Sequence, residues 1–158
     1  MQTLIPVHEL DQLSTTVERA ANAAAECVRQ VSIRDLTQTD IATGAEGILF
    51  QLGDVTEALR ILRKGGDARK RVNSLKRLEH VIGWMRHYDK DLIAPAEKTV
   101  TDEEVCKAVA ECRSAARGLT GQIKHVLALD EVRAAGLNLR AKAANDSAQA
   151  IMADLRKR

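Results

Sequence analysis

Apolar side chains recur at alternating spacings of three and four residues through much of the N-terminal half of this chain. This spacing puts them on one stripe of an α-helix, where they can pack against a partner helix. The two clearest stripes are Leu10, Leu13, Val17, Ala20, Ala24, Cys27 and Val31, and then Ile41, Ala45, Ile48, Leu52, Val55, Leu59 and Leu62. The pattern therefore predicts an all-α bundle of long helices.

The breaks between the stripes predict where the helices begin and end. Helix 1 is expected over about residues 6–32, a connection over 33–40, and helix 2 from there to Lys64. Gly65-Gly66-Asp67 then ends one helix and caps the next. A link this short favours antiparallel neighbours, so the bundle is predicted to be antiparallel.

Pro95 marks the end of the third predicted helix, at about Ala94, because proline has no backbone N–H to continue the hydrogen bonding. The stripe of this helix is Leu75, Leu78, Ile82, Met85 and Leu92. Thr101-Asp-Glu-Glu104 has the pattern of a capping box and predicts the start of helix 4. The stripe of helix 4 is Val105, Val109, Cys112, Ala116, Leu119 and Ile123.

Residues 105–158 contain no proline and no strong turn, and two arrangements fit them. A later stripe is offset from that of helix 4 and consists of Ala134, Leu137, Ala141, Ala144, Ala148, Ile151 and Leu155. One continuous helix joins the two stripes through an extra four-residue step. Alternatively, Asp130 caps a fifth helix after a kink. A continuous helix would be about 80 Å long and would outrun its partners.

The composition is that of one globular domain spanning residues 1–158. Aromatic residues make up only 2% of the chain, so the core must be aliphatic and alanine-rich, which disfavours a small-molecule pocket. The three cysteines have no CxxC spacing, which favours a reducing, cytoplasmic compartment. No signal peptide or membrane span is evident.

Charge is unevenly distributed along the chain. Residues 1–59 carry nine acidic and three basic side chains, a net charge of −6, whereas residues 60–90 carry ten basic and three acidic ones, a net charge of +7. We expect helix 3 to be neutralised mainly by helices 1 and 2. The alternative is an external anionic partner.

One side of helix 3, opposite Ile82, combines cations with aromatic rings. At 100° per residue this partner-binding face comprises Arg69, Lys70, Asn73, Arg77, His80, Trp84 and His87, with Tyr88 at its edge. Phosphates of an anionic partner could meet the arginines while a base, a lipid headgroup or a side chain meets the indole. Because a lone tryptophan is usually well buried, we expect the C-terminal helix to cover Trp84, with Arg77 or Tyr88 stacked beside it.

Two other features lie outside the stripes. Phe50 and Ile61 on helix 2 form a similar apolar pair and predict a self-association surface. Gly44-x-x-Gly47 and Gly118-x-x-Gly121 fall inside predicted helices, where glycine lowers helix stability. We therefore expect both glycine pairs to mark close approaches between helices.

The histidines do not form a metal site, because no two are spaced four apart on a helix. A helical bundle with an exposed histidine resembles a histidine phosphotransfer domain, in which lysine follows the histidine at +3 and glycine at +4. Here His87 is followed by Lys90 and Asp91, and His80 by Gly83 and Trp84. The anion and the bulky ring at +4 depart from that pattern.

These observations favour a non-enzymatic, cytoplasmic helical interaction module that self-associates, with no cofactor, no metal and no small-molecule substrate. Its partner is expected to be a protein or a second copy of the chain. The alternative is a nucleic-acid-binding protein that uses the basic helix at 66–94, although only weak, non-specific binding is expected from a pI near 8.5. A second alternative is a phosphotransfer-like domain.

Overall fold

The computed structural model describes residues 5–65 and 67–156, and for residues 131–141 it describes the helix but not the side chains. The described chain is an all-α helical bundle without a β-strand. Its elements, in chain order, are α1 (Val7–Arg34), α2 (Thr39–Lys64), α3 (Ala68–His87), a π-helical segment (Tyr88–Ile93), α4 (Ala94–Glu97) and α5 (Glu103–Arg156).

The core is built from the stripes that the sequence predicts. On α1 and α2 every predicted stripe residue is buried except Val17, which is partly buried against the same core. The stripe at the start of α5 is buried as well, including Cys112. The Cys112 thiol donates a hydrogen bond to Cys27 and is shielded from water, and both effects raise its pKa. These two thiols therefore act as small apolar side chains in the α1–α5 contact.

Ion pairs show how the long helices lie along one another. His125 of α5 lies 3.2 Å from Glu9 near the start of α1. Asp102, just before α5, lies 3.9 Å from Arg34 at the end of α1. The contacts between α1 and α5 therefore run in opposite chain order. Asp102 also accepts the backbone N–H of Glu104 at 2.9 Å, so Asp102 caps α5 in place of the predicted Thr101.

The predicted end of helix 3 at Ala94 is wrong, because a π-helical segment carries the chain through Pro95 to the end of α4. A π turn contains one more residue than an α turn. It therefore accommodates Pro95, which has no backbone N–H to donate to the residue four positions earlier. The extra residue rotates the following side chains. Ile93 is consequently fully buried, whereas the predicted Leu92 is only half-buried.

The C-terminal region forms one helix of 54 residues, so the continuous arrangement is correct and the kinked one is wrong. Asp130 does not cap a new helix but forms an ion pair with Arg71 of α3. At about 1.5 Å per residue α5 extends some 80 Å, roughly twice the length of α1. Every residue from 142 to 156 is exposed, and we refer to this part of α5 as the overhang.

The two glycine pairs behave differently. A Cβ added at Gly44 would lie 2.6 Å from Cγ1 of Ile93, so the predicted close approach exists on α2. The prediction is wrong for α5, where Gly118 meets only the end of the Arg19 side chain at 3.7 Å and Gly121 faces open space. Among the described residues, no helix is long and apolar enough to cross a membrane.

Candidate interaction surface on α2 and α3

An open groove of about 550 Å³ lies between α2 and α3 and contains most of the chain's exposed aromatic surface. It brings Phe50 of α2 onto the same surface as Trp84 of α3. We call it the aromatic groove, and its lining residues are Phe50, Gln51, Asp54, Asn73, Lys76, Arg77, His80, Trp84 and Tyr88. Phe50, which the sequence analysis assigns to a self-association surface, thus lies on the same surface as the predicted partner-binding residue Trp84.

A second groove of about 450 Å³ continues from the first towards the α2–α3 link and is strongly basic. We call it the basic groove, and its lining residues are Arg60, Ile61, Lys64, Gly65, Asp67, Lys70, Asn73, Ser74 and Arg77. Asn73 and Arg77 line both grooves, so the two form one continuous surface, the α2/α3 face. This surface carries aromatic rings at one end and cations at the other.

Trp84 is 50% exposed, so the expectation that the C-terminal helix covers it is wrong. α5 packs on a different side of α3, where Ile82 and Met85 line a groove between the two helices and Arg71 pairs with Asp130. The predicted stacking partner is correct in the case of Tyr88, whose ring lies 5.9 Å from the indole at an interplanar angle of 24°. His87 meets the indole edge-on at 6.0 Å. Three rings therefore form a cluster in which the indole is half-exposed.

Close packing against α2 positions this cluster. A Cβ at Gly47 would lie 2.5 Å from Cζ of Tyr88, so only glycine lets the tyrosine ring lie flat against α2. From the other side, Arg113 Nε donates to Asp89 at 2.6 Å and its Nη1 donates to Glu97 at 2.8 Å. The carboxylates raise the pKa of Arg113 further above its ordinary value. The π-helical segment that carries Tyr88 is thus held by both α2 and α5.

Internal neutralisation of helix 3 by helices 1 and 2 is at most partial. Arg71 is paired, but with Asp130 of α5. In the described part of the chain, no carboxylate lies within ion-pair distance of Lys70, Lys76 or Arg77. These three cations remain available to an outside ligand.

Glu57 of α2 shows that positive charge accumulates here. Its carboxylate is 2.6 Å from the guanidinium of Arg60. The hydrogen bond from Arg60 lowers the pKa of Glu57, and the charges of Arg77 and Lys64 lower it further. The α2/α3 face therefore favours negative groups even with Glu57 present.

Two predicted residues take other positions. Arg69 lies in the first turn of α3, where its backbone N–H donates to the Asp67 carboxylate at 2.8 Å, and it lines neither groove. His87 belongs to the ring cluster, but its Nδ1 lies 2.8 Å from Asp91. The anion at +4 is therefore in contact with this histidine, as its sequence position suggests, and it would oppose transfer of a phosphoryl group.

Sequence reasoning missed Arg60, Lys64 and Lys76 as surface partners of the aromatic rings. A signal for one of them, Lys64, exists, because α2 has a second stripe spaced by four and three residues alternately. Its members are Phe50, Asp54, Glu57, Ile61 and Lys64. All members of this stripe except Glu57 line the grooves between α2 and α3.

Within residues 5–65 and 67–156, no three His, Cys, Asp or Glu side chains come together as a metal site would require. Comparisons with protein-family models, with curated proteins and with solved structures find no match to this chain.

Proposed function

We propose that this chain is a non-enzymatic helical interaction module that binds an acidic protein segment on the α2/α3 face and also self-associates. The observation that carries the proposal is the half-exposed indole of Trp84, which stacks on Tyr88 and shares a groove with Phe50. Lys76 and Arg77 line the same groove, and no described carboxylate forms an ion pair with either of them. Tryptophan, tyrosine and arginine are the residues on which binding energy most often concentrates at protein interfaces. Three free cysteines fit a cytoplasmic setting.

The two ends of the face suggest what the partner segment contains. At the aromatic end, Phe50 is 77% exposed and would gain free energy by covering an apolar side chain of the partner. At the basic end, Arg77 and Lys70 would bind carboxylates. A segment with an apolar anchor followed by acidic residues is complementary to both ends.

The experiment compares affinity capture from an extract of the source organism by three forms of the chain. The test variant combines Trp84→Ala with Arg77→Glu, and the control is Leu36→Ala, which removes another exposed apolar side chain far from α3 in the sequence. We expect specific polypeptides that the wild type and the control retain and the test variant loses. Identical sets from all three forms would contradict the proposal.

Nucleic acid is the second candidate ligand of the same face, because Arg60, Lys64, Lys70 and Arg77 line the basic groove next to an exposed indole. Binding of this kind weakens with salt by a log–log slope of about −0.9 per phosphate contact on duplex DNA. We expect only weak binding of a random DNA duplex that disappears near physiological salt.

Charge reversal tests this second candidate directly. Changing Arg69, Lys70 and Arg77 to glutamate should abolish the weak DNA signal. Reversing Arg86, Lys90 and Lys124, which lie along the groove between α3 and α5, provides a control of equal charge. Tight, sequence-selective and salt-resistant binding that the first variant loses would place nucleic acid above protein as the partner.

A further inference from the structure

The overhang of α5 carries an apolar stripe that the bundle does not cover. Ile151, Met152 and Leu155 are 62%, 52% and 56% exposed. Ala144, Ala148, Ile151 and Leu155 follow one another at spacings of four, three and four, which puts them on one face of the helix. The stripe is thus a coiled-coil seam that no described part of the chain covers.

The length of the overhang favours a partner. From residue 142 to Arg156 the helix advances about 21 Å, and every residue of this stretch is exposed. A short helix without tertiary contacts is only marginally stable in water. Its exposed isoleucine, methionine and leucine side chains also create a contiguous apolar patch of the kind that marks interaction sites.

We infer that the overhang pairs with the overhang of a second copy of this chain, in antiparallel orientation. Charge is compatible with a second copy, because Lys142, Asp146, Asp154 and Arg156 cancel and residues 142–156 of two chains carry no net repulsion. The inference rests on the self-association in the proposed function and names the surface responsible.

The order of large and small residues along the stripe sets the orientation. In an antiparallel pair, Leu155 lies opposite Ala144 of the second copy, and Ile151 lies opposite Ala148. Each layer then combines one large and one small side chain, which fills the space between the helices evenly. A parallel pair would put alanine on alanine at one end and leucine on leucine at the other, so the helices could not keep a constant separation.

The first test measures mass by light scattering at micromolar concentration. The wild type should have twice the chain mass of 17.3 kDa, and a variant with Ile151→Asp and Leu155→Asp should have the mass of one chain. The control carries Ala150→Asp and Ala153→Asp, which add the same charge on other faces of the overhang. It should remain dimeric. A wild type that stays monomeric, or a dimer that survives the stripe substitutions, would overturn the inference.

Cysteine cross-linking tests the orientation. In a Cys106→Ser background, which removes the exposed native thiol, separate chains carry Ala144→Cys or Leu155→Cys. On mild oxidation the mixture of the two should cross-link far more than either chain alone. Efficient cross-linking of each chain with itself would indicate a parallel pair and overturn the antiparallel assignment.

A variant of the other surface separates this inference from the proposed function. A chain with Phe50→Ser and Trp84→Ala should remain dimeric, because these residues lie on the α2/α3 face. If it becomes monomeric while the overhang variant stays dimeric, self-association belongs to the α2/α3 face and the inference fails. The capture experiment tests partner binding by the α2/α3 face, and light scattering tests pairing of the overhangs. Either experiment can therefore fail without the other.

Discussion

α2 and α5 each contain a Gly-x-x-Gly pair, and the two pairs lie in opposite environments. At Gly44 and Gly47 the π-helical segment approaches so closely that an added Cβ would lie well under 3 Å from Ile93 or Tyr88. Gly121 instead lines a groove of about 460 Å³ between α3 and α5, with open space where its Cβ would be. The same motif thus allows close packing in one helix and leaves a gap in the other. A glycine pair by itself does not identify a helix contact.

The close packing at Gly44 and Gly47 positions the candidate site. Ile93 fills the space above Gly44, and the Tyr88 ring lies against Gly47. Trp84 then stacks on Tyr88. Substitutions in this region should therefore lower the stability of the protein and alter the environment of the indole. Substitutions at the α5 glycines should raise the stability and leave the indole environment unchanged.

The largest effect is expected from Ile93→Ala. Ile93 is fully buried, so its truncation should lower the free energy of unfolding by about 2–5 kcal/mol in urea titrations. Leu92→Ala is the control, and it should cost less because that side chain is partly exposed. A larger loss at Leu92 than at Ile93 would contradict the π-helical register.

Gly47→Ala should have the next largest effect. Overpacking against Tyr88 costs about 1–3 kcal/mol, which exceeds the gain of about 1 kcal/mol from replacing glycine by alanine in a helix. Gly53→Ala on the same helix meets no neighbour and should show the gain alone. Thermal and urea unfolding would measure both, and equal stabilisation by the two changes would show that the close approach is absent.

Gly121→Ala should stabilise the protein by roughly 0.5–1 kcal/mol, since alanine loses less backbone entropy on folding and nothing obstructs its methyl group. Gly118→Ala should behave similarly, because Arg19 can move away. A loss of stability at Gly121 would mean that α3 and α5 approach more closely than the groove between them indicates.

The smallest effect concerns the emission of the single tryptophan. Because Trp84 is half-exposed, its fluorescence in the wild type should be red-shifted and readily quenched by iodide. Gly47→Ala displaces the Tyr88 ring and should alter the emission slightly, whereas Gly121→Ala should leave it unchanged. A blue-shifted emission that iodide does not quench would mean that something covers the indole.

Local periodicity explains why much of the core could be predicted. The stripes on α1 and α2 lie where a regular helix puts them, so Leu10 and Ile41 are buried as expected. Leu92 was misassigned because one extra residue in the π-helical segment rotates all later side chains. Trp84 was misassigned because burial of a helix face depends on which side of α3 a distant helix occupies, and spacing within α3 carries no such information.

The sequence by itself determined the buried stripes of α1, α2 and the start of α5 and the clustering of cations on α3, because these depend on the 3.6-residue period and on neighbours within a few turns. The tertiary structure decided the contacts between distant residues. It placed Phe50 opposite Trp84, paired Arg71 with Asp130 and left the end of α5 uncovered. Those outcomes depend on the register and orientation of whole helices, which are settled by how the separate stripes pack together.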